Sequence, residues 1–416
     1  MEVPTEIYTR YFNFMIYNLN INNDQEFARA LGHVQADSRA FVYLNPKKFT
    51  RLLYAADVDY RAAAFIKQEL LSRGGDCAVA KHVIDGKAAT SDILIIANDS
   101  QLFRLLEKLK AMDCWGLKNF RLELEQVFNS LKFKNFWRIN LNNKILELDD
   151  NTKLMGIINL NNNSFYEPSR VKLDNLIEVV SKMIDDGAEI IDLGAESTRP
   201  GAEPLSCDDE LDRLIPALKE LRANFKDIII SVDTYKSRAA QEALKCGADI
   251  INDISGFALD DNILNIIKEF NAPYVLSHIE GTPQTMIEHE GHSDILGELI
   301  LYFNNKLSEL ESAGIDLNKI IIDPGLGFAK DFNDNFAVIK NLDALKSLGR
   351  PVLIGHSRKR FTRFNNINKL NNLSGTLAIT ALLEGRAQIV RVHDVSENYI
   401  ALMTVRKVRE AELWRE

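Results

Sequence analysis

Ile228-Ile229-Ile230-Ser231-Val232-Asp233-Thr234, the amphipathic stretch Ser237–Lys245, and Asp249-Ile250-Ile251-Asn252-Asp253 read in turn as strand, helix, strand. Continuous β-branched runs mark strands buried on both faces, and two strands joined through a helix run parallel. Outward from this unit the alternation continues from about residue 154. Its apolar runs are Met155–Leu160, Glu189–Leu193, Ile228–Val232, Asp249–Asn252, Tyr274–Ser277, Lys319–Ile322, Val352–Gly355 and Gln388–Val392. Helical periodicity fills Leu173–Asp185, Ile263–Phe270, Ile295–Ser312 and Ser374–Leu383 between them. Eight such units over about 260 residues match an α/β fold of the (β/α)8 TIM-barrel type, typically about 250 residues. An open doubly wound sheet is the alternative on pattern alone.

Upstream the pattern changes. Residues 1–145 hold strand-like pieces (Phe41–Leu44, Ile93–Ala97), helix-like pieces (Tyr60–Ser72, Gln101–Lys110) and a Gly74-Gly75 turn, which suggests a small α/β N-terminal domain. Phe120–Asp150 reads as a helix followed by a short strand or linker, so the expected domains are 1–145, accessory, and 146–416, catalytic. No chemistry is legible in the first; His33 and His82 read as ordinary histidines.

The chain has 416 residues, with 50 Lys+Arg against 59 Asp+Glu, a net −9 that argues against nucleic acid or an anionic membrane as partner. Residues 1–150 carry 20 basic and 19 acidic side chains, leaving 30 and 40 for 151–416, so an anionic ligand of the second part must be met by local positive groups. The longest aliphatic stretches fall far short of the roughly 20 residues a membrane span needs. Met1-Glu2-Val3-Pro4-Thr5-Glu6 has neither the basic nor the apolar part of a secretory signal, and Cys77, Cys114, Cys207 and Cys246 form no C-x-x-C pair. A cytoplasmic protein with reduced thiols is expected.

In a (β/α)8 barrel the site sits past the C-terminal strand ends. A polar residue stands there in nearly every unit: Asn159; Asp192 into Glu196-Ser197-Thr198-Arg199-Pro200-Gly201; Asp233-Thr234; Asn252-Asp253; Ser277-His278; Asp323-Pro324-Gly325-Leu326-Gly327-Phe328; His356-Ser357-Arg358-Lys359; and Arg391-Val392-His393-Asp394. Each alone has a bland reading as a turn or cap; together they point to a polar small molecule at the mouth. Carboxylates accept, Asn252 donates and accepts, and Lys359 only donates, a set that suits a flat heterocycle with a donor–acceptor edge. Arg391 and His393, two apart and so on one strand face, can with Ser357-Arg358-Lys359 hold a phosphate or diphosphate. The Asn159 amide oxygen can ligate a hard cation such as Mg2+.

These motifs, with Met155-Gly156-Ile157-Ile158-Asn159, Ser164-Phe165, Ser231-Val232-Asp233-Thr234 and Ile251-Asn252-Asp253-Ile254-Ser255-Gly256, make residues 154–416 resemble the dihydropteroate synthase family of pterin-binding barrels. The resemblance implies condensation of 6-hydroxymethyl-7,8-dihydropterin diphosphate with p-aminobenzoate in folate biosynthesis, a homodimer, and a sulfonamide target. By position it assigns Asp233, Asn252, Asp323 and Lys359 to the pterin. Asn159, Arg391 and His393 go to the diphosphate with Mg2+, and Thr198, Arg199, Pro200, Phe328 and Ser357 to p-aminobenzoate. Asp233, Lys359, Arg391 and His393 would be the catalytic set. The loop Asn161–Pro168 departs from the family's Thr-Pro-Asp-Ser-Phe-Ser-Asp-Gly, Ala195 and Ala329 replace habitual glycines, and Ser277 stands in place of a Met. Two other readings share the barrel: a pterin-dependent methyltransferase, which has no use for Ser357-Arg358-Lys359 together with Arg391-x-His393, and a pterin-binding pseudoenzyme.

Overall fold

The computed structural model describes Leu19, Ile21 and residues 23–37, 39–132, 136–141, 143–160, 173–196, 205–281, 291–363 and 371–411. It divides into two compact units, Met1–Glu125 and Gln126–Glu416.

In the first unit, strands Thr50–Asp59, Asp76–Val79 and Thr90–Asn98 form an antiparallel sheet with the third strand in the middle. Helices Tyr60–Leu71 and Asp99–Leu109 bury Ala62, Ala63, Ile66 and Leu70, and Leu102, Leu105, Leu106 and Leu109. The sheet contributes Ile93, Ile95 and Ala97, alternate residues of one strand and therefore one face. The Asp59 carboxylate caps the first helix by accepting from the Arg61 N–H, and Asn98 with Gln101 forms a capping box on the second. Phe41–Leu44, read as strand from its apolar run, lies instead in the short helix Ala40–Leu44, with none of its residues buried. A four-residue apolar run carries no period with which to separate the two.

In the second unit, eight parallel strands, Lys153–Asn159, Ile190–Gly194, Ile229–Asp233, Ile250–Asp253, Tyr274–Ser277, Ile320–Asp323, Leu353–Gly355 and Ile389–Val392, pair in sequence. The last strand pairs with the first, and the parallel bridge Ile322–Val352 closes the ring. A helix follows each strand, from Leu173–Asp185 to Val395–Glu410. Outward strand residues such as Leu193, Val232, Ile251 and Leu276 pack with helix residues such as Val180, Leu218, Ala243 and Leu299 in one core.

The barrel interior changes character within two residues. Met155, Ile190, Ile250, Val275, Ile321, Leu353 and Ile389, with Ile229 partly buried beside them, form an apolar floor. Two positions further along each strand, on the same face, stand Ile157, Asp192, Asn252, Ser277, Asp323, Gly355, Arg391 and Ser231.

The floor is sealed by the hairpin Trp137–Asn140/Ile145–Leu148, whose Ile139, Leu141, Leu146 and Leu148 join the floor cluster at 4% exposure or less. Polar ties rim the seal. The Trp137 Nε1–H donates to the Gly349 carbonyl at 3.2 Å, and Lys144 Nζ donates to the Ile228 carbonyl at 2.7 Å beside Asp249. The 145/146 boundary expected from sequence therefore cuts through the hairpin. The compact units divide twenty residues earlier, in keeping with a hairpin whose apolar face is buried against the strand beginnings.

Candidate active site

The second interior layer sets the geometry. Arg391 enters from the last strand; its Nη2 donates to Asp233 Oδ2 at 2.5 Å and its Nε to Asp192 Oδ2. Asn252 Nδ2 lies 3.4 Å from both oxygens of Asp192, which is fully buried. Asp192 thus links two residues expected at the site, although its own role was not singled out. The signal was present: a charged residue two positions beyond Ile190, on the barrel side of its strand.

Asp323 and Lys359 form the second group. The Gly325 N–H donates to Asp323 Oδ1 at 2.8 Å, while Lys359 Nζ donates to the Leu326 carbonyl and sits 4.1 Å from the centre of the Phe328 ring. Glycine is required in this loop: Gly325 has φ +67, and a Cβ there would stand 1.9 Å from the His278 carbonyl oxygen. Ala329 adopts φ +46 at the position where the resemblance leads one to expect glycine, so this chain holds a left-handed alanine at a cost of roughly 1–2 kcal/mol.

A third pair completes the rim. Ser357 Oγ accepts the His393 backbone N–H at 3.2 Å and lies 3.0 Å from His393 Nδ1. Asn159, at the end of the first strand, lies in register with Gly194, which in turn faces Asp233. Thr198, Arg199, Pro200 and the loop Asn161–Pro168 lie outside the described residues.

Some motif residues prove structural. Arg358 forms a two-pronged ion pair with Asp394, Nε–Oδ2 at 2.7 Å and Nη2–Oδ1 at 2.6 Å, so its guanidinium already has a partner within the fold. Asp253 accepts the Tyr274 hydroxyl at 2.6 Å and the N–H groups of Ser255 and Phe257. His356 is fully buried against Thr380, and burial pushes it down to about 4, so it stays neutral.

Asp192, Asp233 and Asp323 face two cations, Arg391 and Lys359. Burial, reinforced by neighbouring carboxylates, carries Asp233 up to about 7 even though Arg391 pulls it down. Burial likewise raises Asp323, against the pull of Lys359, and pushes Lys359 down to about 8, with Asp323 pulling it back. Burial opposes the charge on Arg391 too, but Asp192 and Asp233 overcome it and raise its pKa. The mouth therefore holds one carboxyl group, Asp233, that can carry a proton near neutral pH beside a guanidinium that cannot lose one.

Two further networks border the mouth. Lys236 bridges Glu196 and Glu210, and the Tyr235 hydroxyl donates to Glu196 at 3.2 Å. His292 lies between Glu280 at 2.9 Å and Asp334 at 2.8 Å, with Glu298 at 3.7 Å. Burial lowers the pKa of His292, but those two carboxylates outweigh it and the net shift is upward. Among the described residues, Glu280, His292 and Glu298 are close enough to share a cation, though as ion pairs they already satisfy one another. Neither network was legible in sequence, since each joins residues distant along the chain.

The family described as pterin binding enzyme matches residues 155–393. A dihydropteroate synthase of Synechocystis is 40% identical over 268 residues, covering 64% of this chain and 91% of that protein. A solved dihydropteroate synthase of Xanthomonas albilineans with 4-aminobenzoic acid is 30% identical with a TM-score of 0.60, covering 67% of this chain and all of that one. A probable bifunctional folylpolyglutamate synthase/dihydropteroate synthase of Halobacterium salinarum is 34% identical over 357 residues. That match covers 42% of the relative but 85% of this chain, more than the second unit alone, so it extends into the first unit. The matched span contains every strand that brings a polar residue to the mouth, and the chain belongs to the pterin-binding enzyme family, among its dihydropteroate synthases.

Proposed function

We infer that the barrel joins 6-hydroxymethyl-7,8-dihydropterin diphosphate to p-aminobenzoate, breaking the methylene C–O bond and forming a C–N bond. The observation that carries this reading is the pair of carboxylate–cation couples, Asp233–Arg391 and Asp323 beside Lys359, facing one mouth. A carboxylate beside a donor-only lysine and an amide suits the edge of a pterin, which assigns Asp323, Asn252, Lys359 and Asp233 to the ring. The ring can feed electrons toward its methylene carbon, so the bond to diphosphate breaks as positive charge builds there. Asp233 then stabilises that charge, while Arg391 and His393 hold the departing diphosphate. The aromatic amine is already a nucleophile and loses its proton after attack, which fits a site whose described residues form no nucleophilic triad. Phe328 and Ser357 wall the amine side, and Thr198, Arg199 and Pro200 are proposed to complete it.

A Mg2+ ion fits the same arrangement. The half-buried Asn159 side chain makes no hydrogen bond among the described residues, so its amide oxygen would be available to hold a hard cation. Bound there, the metal supplies charge neutralisation to the leaving group. No helix among the described residues is long and apolar enough to cross a membrane. A cytoplasmic homodimer sensitive to sulfonamides is proposed with the activity, and light scattering at twice the chain mass checks the dimer. The deciding experiment incubates purified protein with Mg2+, the pterin diphosphate and p-aminobenzoate. Formation of dihydropteroate with release of diphosphate is expected; their absence overturns the assignment.

A further inference from the structure

Lys330 has no part in the chemistry above, yet its ammonium is placed with care. Nζ lies 2.8 Å from His278 Nδ1 and 3.2 Å from the Phe328 carbonyl oxygen, 52 and 2 residues away along the chain. His278 is a rigid partner. It is 3% exposed, its backbone N–H donates to the Asp323 carbonyl at 3.0 Å, and its ring stands edge-on to Tyr302 with centroids 4.7 Å apart. The Tyr302 hydroxyl is itself anchored on the Ser277 carbonyl at 2.9 Å.

The loop that Lys330 grips needs holding. Ala329 sits between Phe328 and Lys330 in the left-handed region, and a strained residue of this kind persists only where its surroundings over-determine it. Asn335 holds the backbone from one side, accepting the Gly327 N–H at 2.6 Å and donating to the carbonyls of Lys330 and Asp331. From the other side, Lys330 ties the loop to the end of the fifth barrel strand. Burial pushes this lysine down to about 7, with Asp323 and Glu280 pulling it back, so the tie is kept against an opposing desolvation cost.

We propose that Lys330 is the positioning residue of the amine-binding wall, fixing Phe328 beside Lys359 through its bonds to His278 and to the Phe328 carbonyl. It sets the affinity for p-aminobenzoate by holding the wall in place and leaves the grip on the pterin chiefly to Asp233, Asn252 and Asp323, whose side chains rise from the strands rather than from this loop. The inference rests on the synthase reading, and the two fail separately: an inactive wild type sinks that reading, whereas an active wild type exposes the positioning role to test.

Steady-state kinetics with each substrate varied tests it in K330M and in H278F, which keeps the ring packing on Tyr302 but removes Nδ1. Losing the Lys330–His278 bond, and in K330M the bond to the Phe328 carbonyl with it, should raise the KM for p-aminobenzoate about tenfold and leave the KM for the pterin diphosphate within about twofold. Both substitutions cut the same tie, so the double variant should be no worse than K330M alone. An unchanged p-aminobenzoate KM, an equal rise in both KM values, or multiplying effects in the double variant overturns the proposal. If K330M does not fold, the KM split in H278F decides alone.

Discussion

The floor and the mouth of the barrel are carried by the same eight strands, the mouth beginning two residues beyond the floor, and they obey opposite rules. At the floor, Met155, Ile190, Ile250, Val275, Ile321, Leu353 and Ile389 meet Ile139, Leu141, Leu146 and Leu148 from the hairpin in one apolar cluster. At the mouth, Asp192, Asp233 and Asp323 crowd around Arg391 and Lys359, and burial raises Asp233, to about 7, and Asp323 above the usual carboxylate range. Apolar burial at roughly 25 cal/mol per Å2 makes the floor a source of stability. The mouth is a place where desolvated like charges oppose folding and are retained for the ligand.

The comparison breaks most plainly by truncation. Removing residues 1–125 should leave a folded barrel by circular dichroism, whereas removing 1–145 strips Ile139 and Leu141 from the floor and should give aggregated or unfolded protein. Equal behaviour of the two would show that the hairpin does not complete the core. Next in size, Arg391→Ala at the mouth should lower kcat/KM about 100-fold or more, each charge-assisted bond contributing about 1.5–3 kcal/mol. It should weaken diphosphate-bearing ligands more than free pterin, and calorimetry on both ligands reads the difference. Leu146→Ala at the floor should cost about 2–5 kcal/mol in chemical denaturation while both KM values stay put.

The smallest effect carries the sign of the mouth's electrostatics. Asp233 has a folded pKa above its unfolded value of about 3.9, so the folded state holds its proton more tightly. Its penalty on stability therefore appears as pH rises from about 4 and is complete above about 7. Asp233→Asn should thus match or exceed the wild type in melting temperature at pH 8, with the advantage shrinking toward pH 5, while losing activity at both. A variant less stable at pH 8 than at pH 5, relative to wild type, would reverse the assignment.

The barrel was legible because its strands, buried on both faces, are unbroken β-branched runs; Tyr274–Ser277 coincides with its predicted limits, as do the helices Ser237–Lys245 and Ile295–Ser312. The mouth was legible because a charge beyond such a run has few other places to go. Pairing across the fold was not. Nothing local says that Arg358 belongs to Asp394, that Asp192 joins Asn252 to Arg391, or that Lys330 finds His278. The hairpin read as a short strand or linker for the same reason: its two four-residue strands acquire a purpose from the floor they cover.

That cover makes the barrel a vessel with one door. Of the residues proposed for the pterin, Asp233, Asn252 and Asp323 lie on the strands and Lys359 just past one, while those proposed for the amine lie on the loops above them; on that assignment the deeper guest would have to arrive first and the shallower one would close over it. The finished conjugate must then back out through the same opening before another turn can start. A molecule lodged at the rim would block entry and exit alike, and two inhibitors aimed at the two depths should compete for one passage as well as for two pockets.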